Sequence, residues 1–501
     1  DEEDEPESRF PADYFKRLFQ FFSEYNFTID ENDPNDAEVG VDPEMLGKIF
    51  ENLLEDNKDK GAFYTPKEIV RYMCQESLIA YLETNTSVAK DKIRKFVLSP
   101  EDGVADIPDN KKPKLLTTLE EVKICDPDIG SGAFPMGLLN ELLHCREVLS
   151  GERYDRAEIK KSIIQNNIYG VDIEKGAVDI ARLRFWLSIV VDEETPSPLP
   201  NLDYKIMQGN SLIESFMGVD LSKLTYEKEY KKDKGEILLF DDEKNRLQKT
   251  VSHLLSSYYS CSDHGRKVKL QQDISDTINK QLEAQAYDPV ILGKLKTINL
   301  AENKKFFLWH TWFSDVFSRP SKEGFDIVIG NPPYVEAKKL KYIASTLKEI
   351  FSIYSGTADL SIYFNELGLS LLAEKGIISY ITTNKFFNTG YGEKVRKQLS
   401  SQHINIILNF EQVEVFEDVL VSSVIFNVSK KNKMKKNLFV YEKFYKLNFQ
   451  EFKRQFVERQ SMFGSYPQDY LDEKEWSFSD KKQLMLKEKI ENGHLSLKNI
   501  E

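Results

Sequence analysis

At 501 residues, the chain has room for two or three domains and a large core. Its formal charge of −14 argues against nonspecific polyanion binding by the whole surface, while leaving room for a local basic groove. No apolar run approaches the roughly 18 residues of a membrane span. The opening DEEDEPESRF is the opposite of a signal peptide, and four cysteines without CxxC or Cys/His metal spacing point to a reducing, cytoplasmic setting.

Residues 1–60 read as a helical region. Tyr14–Tyr25 carries apolar residues at helical spacing, and Asp42–Leu54 opens with an acidic cap and a proline before repeating the period. In KGAFYTPKEIVRY (60–72), a Gly/Thr/Pro turn opens an amphipathic helix, with Thr65 expected as N-cap and Pro66 at the first helical position. The exposed amides of such a helix start suit a ligand carboxylate.

KICDPDIGSGAFPMGLLN (123–140) predicts a short strand ending at Asp126, a glycine loop, and an apolar helix. Gly130 and Gly132 let the backbone approach a ligand closely, but the spacing is neither GxGxxG nor a phosphate-binding loop. An acid at this strand end would attract a cationic ligand group. IYGVD (168–172) is a second strand ending in an acid, Asp172, placed as a ribose diol would require. YKIMQGN (204–210) is a third, ending in Gly-Asn. Between about 221 and 303 the sequence turns charged and Gln-rich and reads as an inserted helical hairpin.

GFDIVIGNPPY (324–334) combines a buried parallel strand with a stiff loop at its carboxyl end. Two prolines remove backbone donors, and an amide and an aromatic ring flank them. Alone, this reads equally as a rigid strand exit or as a grip for a planar amino group. Lys338, Lys339 and Lys341, just beyond it, fit either a solvated helix face or part of a basic groove. Further strands are expected at 376–382, 405–409 and 422–428, the last two forming an antiparallel pair, for seven in all. The basic run 430–436 reads as a turn or linker.

The order GAFYTP, DPDIGSGAF, GVDI, GNSL, GNPPYV, QVEVFEDVLVSSVIF resembles that of the γ-class DNA adenine-N6 methyltransferases, closest to the methylase part of Type IIG restriction–modification enzymes. The resemblance covers roughly residues 15–430. It implies an α/β fold: a Rossmann-like, seven-stranded S-adenosylmethionine-dependent methyltransferase sheet, here with an N-terminal helical region (1–60), a core (61–430) and the helical insertion. It implies a cofactor site at Tyr64, Thr65, Pro66, Asp126, Gly130, Gly132, Ala133, Phe134, Asp172, Ile173, Asn210 and Asn331. The catalytic set implied is Asn331, Pro332, Pro333 and Tyr334, with Tyr334 and Phe416 stacking on an adenine flipped out of double-stranded DNA. The chain departs from the family's usual first motif at Asp128-Ile129 and Pro135.

On this reading Asn331 and the Pro332 carbonyl each accept one amino hydrogen, so positioning and fixed dipoles suffice without a histidine base or a metal. Protein glutamine methylation, RNA adenine methylation and a decayed, binding-only scaffold remain as alternatives. Residues 431–501 are expected to be a linker and the start of a truncated target-recognition region. A nuclease and a recognition domain would then belong to a longer protein, so this chain is expected not to cut DNA and to discriminate poorly among duplexes.

Overall fold

The structure is a computed structural model and describes residues 47, 61, 63–151, 155–192, 201–222, 239–261, 263–284, 287–320, 322–417, 419–434 and 436–478. The helices expected within 1–60 lie outside them, apart from Gly47, which is helical and buried.

Among the described residues, nine strands form the main sheet: β1 (Ile124–Asp126), β2 (Ile168–Asp172), β3 (Ile206–Gln208), β4 (Phe325–Gly330), β5 (Leu372–Thr383), β6 (Gln402–Val413), β7 (Ser423–Asn432), β8 (Leu438–Leu447) and β9 (Gly464–Pro467). Their spatial order is β9-β8-β6-β7-β5-β4-β1-β2-β3. From β3 through β5 the pairing is parallel, and β7 is wedged antiparallel between β5 and β6. The seven strands expected from the sequence are thus present. The stretch after 430 departs from expectation. Rather than a linker, it runs β8 parallel alongside β6 and closes the edge with β9. Phe439 and Phe444 on β8, with Phe452 and Phe456 on the helix Phe449–Arg459, are all buried, and that burial holds the extension on.

Apolar side chains on the central strands feed two cores, one on each face. On β4, Phe325 and Val328 face one core and Ile327 and Ile329 the other, as expected of a strand covered on both sides. The first face carries the insertion. Its helices Leu239–Tyr259 and His264–Ala284 pack on each other as the expected hairpin. Asn201 ties their connection to the sheet by donating to the carbonyls of Tyr258 (2.6 Å) and Cys261 (3.0 Å).

At the start of the helix Lys67–Asn85, the expected cap is corrected. Pro66 is the N-cap, with no side-chain cap hydrogen bond, and its carbonyl accepts from Ile69 and Val70. The Thr65 hydroxyl is engaged elsewhere, accepting from Asn331 Nδ2 at 3.1 Å. Among the described residues, no helix is long and apolar enough to cross a membrane.

Candidate functional site

Three parallel strands and a strap from the start of the described core bring their ends together. β1 ends at Asp126, and the following turn places Gly130 (φ +52°) and Gly132 (φ +87°) in the left-handed region, which glycine enters without strain. Gly132 then opens the helix Ala133–Ser150 with no side-chain cap. β2 ends at Asp172, whose two oxygens accept from the amides of Gly130 (2.8 Å) and Glu174 (2.8 Å). That acid therefore clamps the glycine loop to its own strand. After β3, Asn210 Oδ1 accepts from Leu212 N (3.3 Å), and Ser211 Oγ donates to the Pro127 carbonyl (2.5 Å).

These ends surround a cavity of about 450 Å³, within the range of small-ligand pockets. Of the residues expected at a cofactor site, Thr65, Asp126, Gly130, Ala133, Phe134, Asp172, Ile173, Asn210 and Asn331 line it. Tyr64, Pro66 and Gly132 do not line it, while Pro333 does, from the NPPY loop. Asp126 is 1 % exposed, and burial pushes its carboxyl well above the usual range, with the Asp172 charge adding to the shift. Only the amide of Asp128, at 3.1 Å, opposes it. Gly330 makes room for that carboxylate: a Cβ there would stand 2.6 Å from Asp126 Oδ1.

The Asn331 amide is oriented by its partners. Its Nδ2 donates to the Phe63 carbonyl (3.1 Å) and to Thr65 Oγ1 (3.1 Å). A carbonyl can only accept, so the nitrogen must face it, and Oδ1 is left buried with no hydrogen-bond partner among the described residues. Such an atom forfeits the hydration it had in the unfolded chain. The neighbouring backbone is tied to the same strap, because Tyr334 N donates to the Gly61 carbonyl at 3.0 Å. Gly61 (φ +67°) is required there, since a Cβ would meet Tyr334 backbone at 2.7 Å.

Tyr334 stands in an aromatic cluster beside this amide. Phe63 lies 5.7 Å from Tyr334 and is stacked at 5.3 Å on Phe416, which is itself 6.0 Å from Tyr334, centroid to centroid. Phe416 is 1 % exposed, and the Tyr334 hydroxyl is buried without a partner among the described residues. Burial raises the Tyr334 phenol well above its usual range, with Asp359 adding to the effect.

Two residues escaped the sequence reading. Phe63 joins both halves of the site, its carbonyl on Asn331 and its ring against both Tyr334 and Phe416; its place directly before Tyr64-Thr65-Pro66 is the available signal. Arg184, 1 % exposed, donates to the Ser131 carbonyl (2.9 Å) and backs the glycine loop from the helix Lys175–Val190. Nothing in its own stretch of sequence points to that contact.

The family described as Eco57I restriction-modification methylase matches residues 166–416. A putative type II restriction enzyme and methyltransferase of Methanocaldococcus jannaschii, RM.MjaORFECS2P, is 28 % identical over 478 residues, covering 83 % of this chain and 40 % of that one. The adenine-specific methyltransferase PglX of Lacticaseibacillus casei is 21 % identical over 465 residues, covering 85 % of this chain and 35 % of its own. This chain thus spans less than half the length of either relative. Among solved structures, a nuclease-deletion mutant of the Type ISP restriction-modification enzyme LlaGI in complex with a DNA substrate mimic superposes with a TM-score of 0.47 at 14 % identity, over 94 % of this chain and 32 % of that one. The matched span 166–416 takes in half of the sequence, with β2, β3, the NPPY loop, Tyr334 and Phe416, and the chain belongs to the Eco57I restriction-modification methylase family.

Proposed function

We propose that this chain transfers a methyl group from S-adenosylmethionine to the N6 amino group of adenine in double-stranded DNA, as the modifying part of a restriction–modification or defence system. One observation carries the reading: Asn331 has both amide protons engaged and its oxygen unanswered, at the edge of a cavity whose lining includes Asp126 and Asp172. A buried acceptor with no donor is costly unless a ligand supplies one.

The donor set fits the cofactor. Asp126, buried and with no basic partner among the described residues, suits the ammonium of the methionine part. Asp172 can accept from ribose hydroxyls with its remaining lone pairs, and Ile173 and Asn210, which line the same cavity, suit an adenine ring and its amino group. The bound cofactor supplies an electrophilic methyl group.

The chain's own residues prepare the nucleophile. An adenine amino nitrogen is weakly nucleophilic because its lone pair is delocalised into the ring. Asn331 Oδ1 and the Pro332 carbonyl each take one amino hydrogen and hold the nitrogen tetrahedral, which frees the lone pair toward the cavity. The stiff proline loop keeps both acceptors in place before the base arrives. Neither acceptor is a base near neutral pH, so the departing proton leaves to water. Extruding the base costs a few kcal/mol. Stacking against the Tyr334, Phe63 and Phe416 cluster, at about 1–3 kcal/mol per base, offsets part of that cost.

The test is to supply labelled S-adenosylmethionine with duplex DNA, RNA and protein in parallel. Label in DNA, recovered as N6-methyladenine, is the expected result. Label in protein glutamine or in RNA, or no transfer at all, would overturn the reading.

A further inference from the structure

Behind the NPPY loop lies a second groove, of about 590 Å³, which no part of the reading above uses. It is separated from the cofactor cavity by a thin wall, the turn Ala337–Leu340, and Leu340 lines both spaces. Lys338 and Lys341 reach the groove from this wall and Lys385 from the loop after β5. Two acids also face it, but both are already engaged. Glu336 pairs with Lys338 at 2.7 Å. Asp359 is 4 % exposed, and its oxygens accept from the hydroxyls of Ser361 and Thr383.

Lys341 and Lys385 are exposed, and neither has a carboxylate within 4.0 Å among the described residues. In a chain of net charge −14, two exposed cations on separate loops that face one groove without an ion pair within 4.0 Å form a local exception, with Glu336 acting on Lys385 only from a greater distance. The groove also lies beside the loop that would grip an extruded base. Flipping rotates a nucleotide about its own backbone, so the phosphates on either side of it stay at the mouth of the slot.

We propose that this groove holds the phosphates of the DNA strand carrying the extruded base, with Lys341 and Lys385 as their cationic partners. Tyr354, half-buried, lines the same groove. Contacts of this kind position the strand and add affinity without reading sequence. The assignment rests on the proposed DNA methyl transfer and specifies where that site takes hold of its substrate.

The test uses the whole chain with a non-reactive analogue of S-adenosylmethionine bound. Anisotropy titrations of labelled mixed-sequence duplexes at several salt concentrations compare wild type with Lys341→Gln/Lys385→Gln. Affinity should fall alike for all duplexes, and the log–log salt slope should shrink by about 1 for each lysine removed. Cofactor affinity should stay unchanged, which verifies the fold. Lys294→Gln, an exposed lysine of the insertion, removes the same charge elsewhere and should leave the slope intact. An unaltered slope in the double variant, with wild type still methylating DNA, overturns the groove assignment alone. A wild-type chain with no salt-dependent duplex binding, or one that methylates protein or RNA instead, overturns both.

Discussion

Asp126 and Asp326 lie on neighbouring strands of one sheet, and each is 1 % exposed. Asp326, at the amino end of β4, is met by Arg319 Nη1 (2.8 Å), Lys322 Nζ (2.6 Å) and the Lys123 amide (2.8 Å). Nearby, at the amino ends of β2 and β3, Lys205 is buried against the Tyr169 hydroxyl (2.7 Å) and Asp315 (3.1 Å). Asp126, at the carboxyl end of β1, has one backbone amide and no cation among the described residues. Burying a charge is expensive unless it is paired. One edge of the sheet therefore pairs its buried acid with cations, while the other leaves a buried carboxyl with no cationic partner among the described residues.

The largest expected effect lies at the paired edge. Asp326→Ala strands two cations that are themselves only partly exposed, and it should cost about 3 kcal/mol or more in denaturant unfolding. A loss well under 1 kcal/mol would break the comparison, because it would mean that the pairing does not hold this edge.

At the unpaired edge the losses should appear in activity. Asn331→Ala removes an acceptor but leaves the prolines in place, so kcat for methyl transfer should fall about 10²–10³-fold, with cofactor affinity little changed. Near-normal turnover would remove Asn331 from the chemistry. Asp172→Ala should weaken cofactor binding by about 10–100-fold in calorimetry, corresponding to about 1.5–3 kcal/mol for hydrogen bonds to a charged group. It should also lower the melting temperature, because the Gly130 and Glu174 amides lose their acceptor.

The last effect is the most telling, because its sign reverses. Asp126 has its carboxyl raised by burial in the folded protein, so between the ordinary carboxylate range and that raised value the folded state binds the extra proton. Stability is then lost as pH rises through this window, by at most about 1.4 kcal/mol per pH unit for one group. Asp126→Asn should remove that slope and make the ligand-free protein more stable near neutrality, while cofactor binding weakens. Urea midpoints measured from acid to neutral pH provide the check; a variant less stable than wild type throughout would make Asp126 a structural residue like Asp326.

The seven strands of the core are legible in the sequence because each is a short apolar run closed by a turn, and most are rich in β-branched residues. The acids at the ends of β1 and β2 follow directly from that placement. β8 was not legible. LFVYEKFYKL interleaves charge with aromatics without clean alternation, and only its pairing with β6 settles its state. Thr65 misled in the opposite direction: it has the chemistry of a cap, but a residue 266 positions away takes its hydroxyl. The orientation of the Asn331 amide and the contact from Arg184 to Ser131 share this character. Both are long-range pairings between polar groups, and no local pattern of apolar residues records them.

The Asn331–Phe63 hydrogen bond joins residues 268 apart, and the Tyr334–Gly61 bond reaches across a similar gap. On a ribosome adding about 5–20 residues per second, roughly 15–50 s pass between the synthesis of the strap and that of the loop it must orient. Until then the strap has no amide to hold. The same separation makes the chain divisible. If it were cut between the two insertion helices, the strap and cofactor loops would remain on one piece and the NPPY loop on the other. Methyl transfer would then depend on the two pieces meeting, and its rate would rise with their concentration.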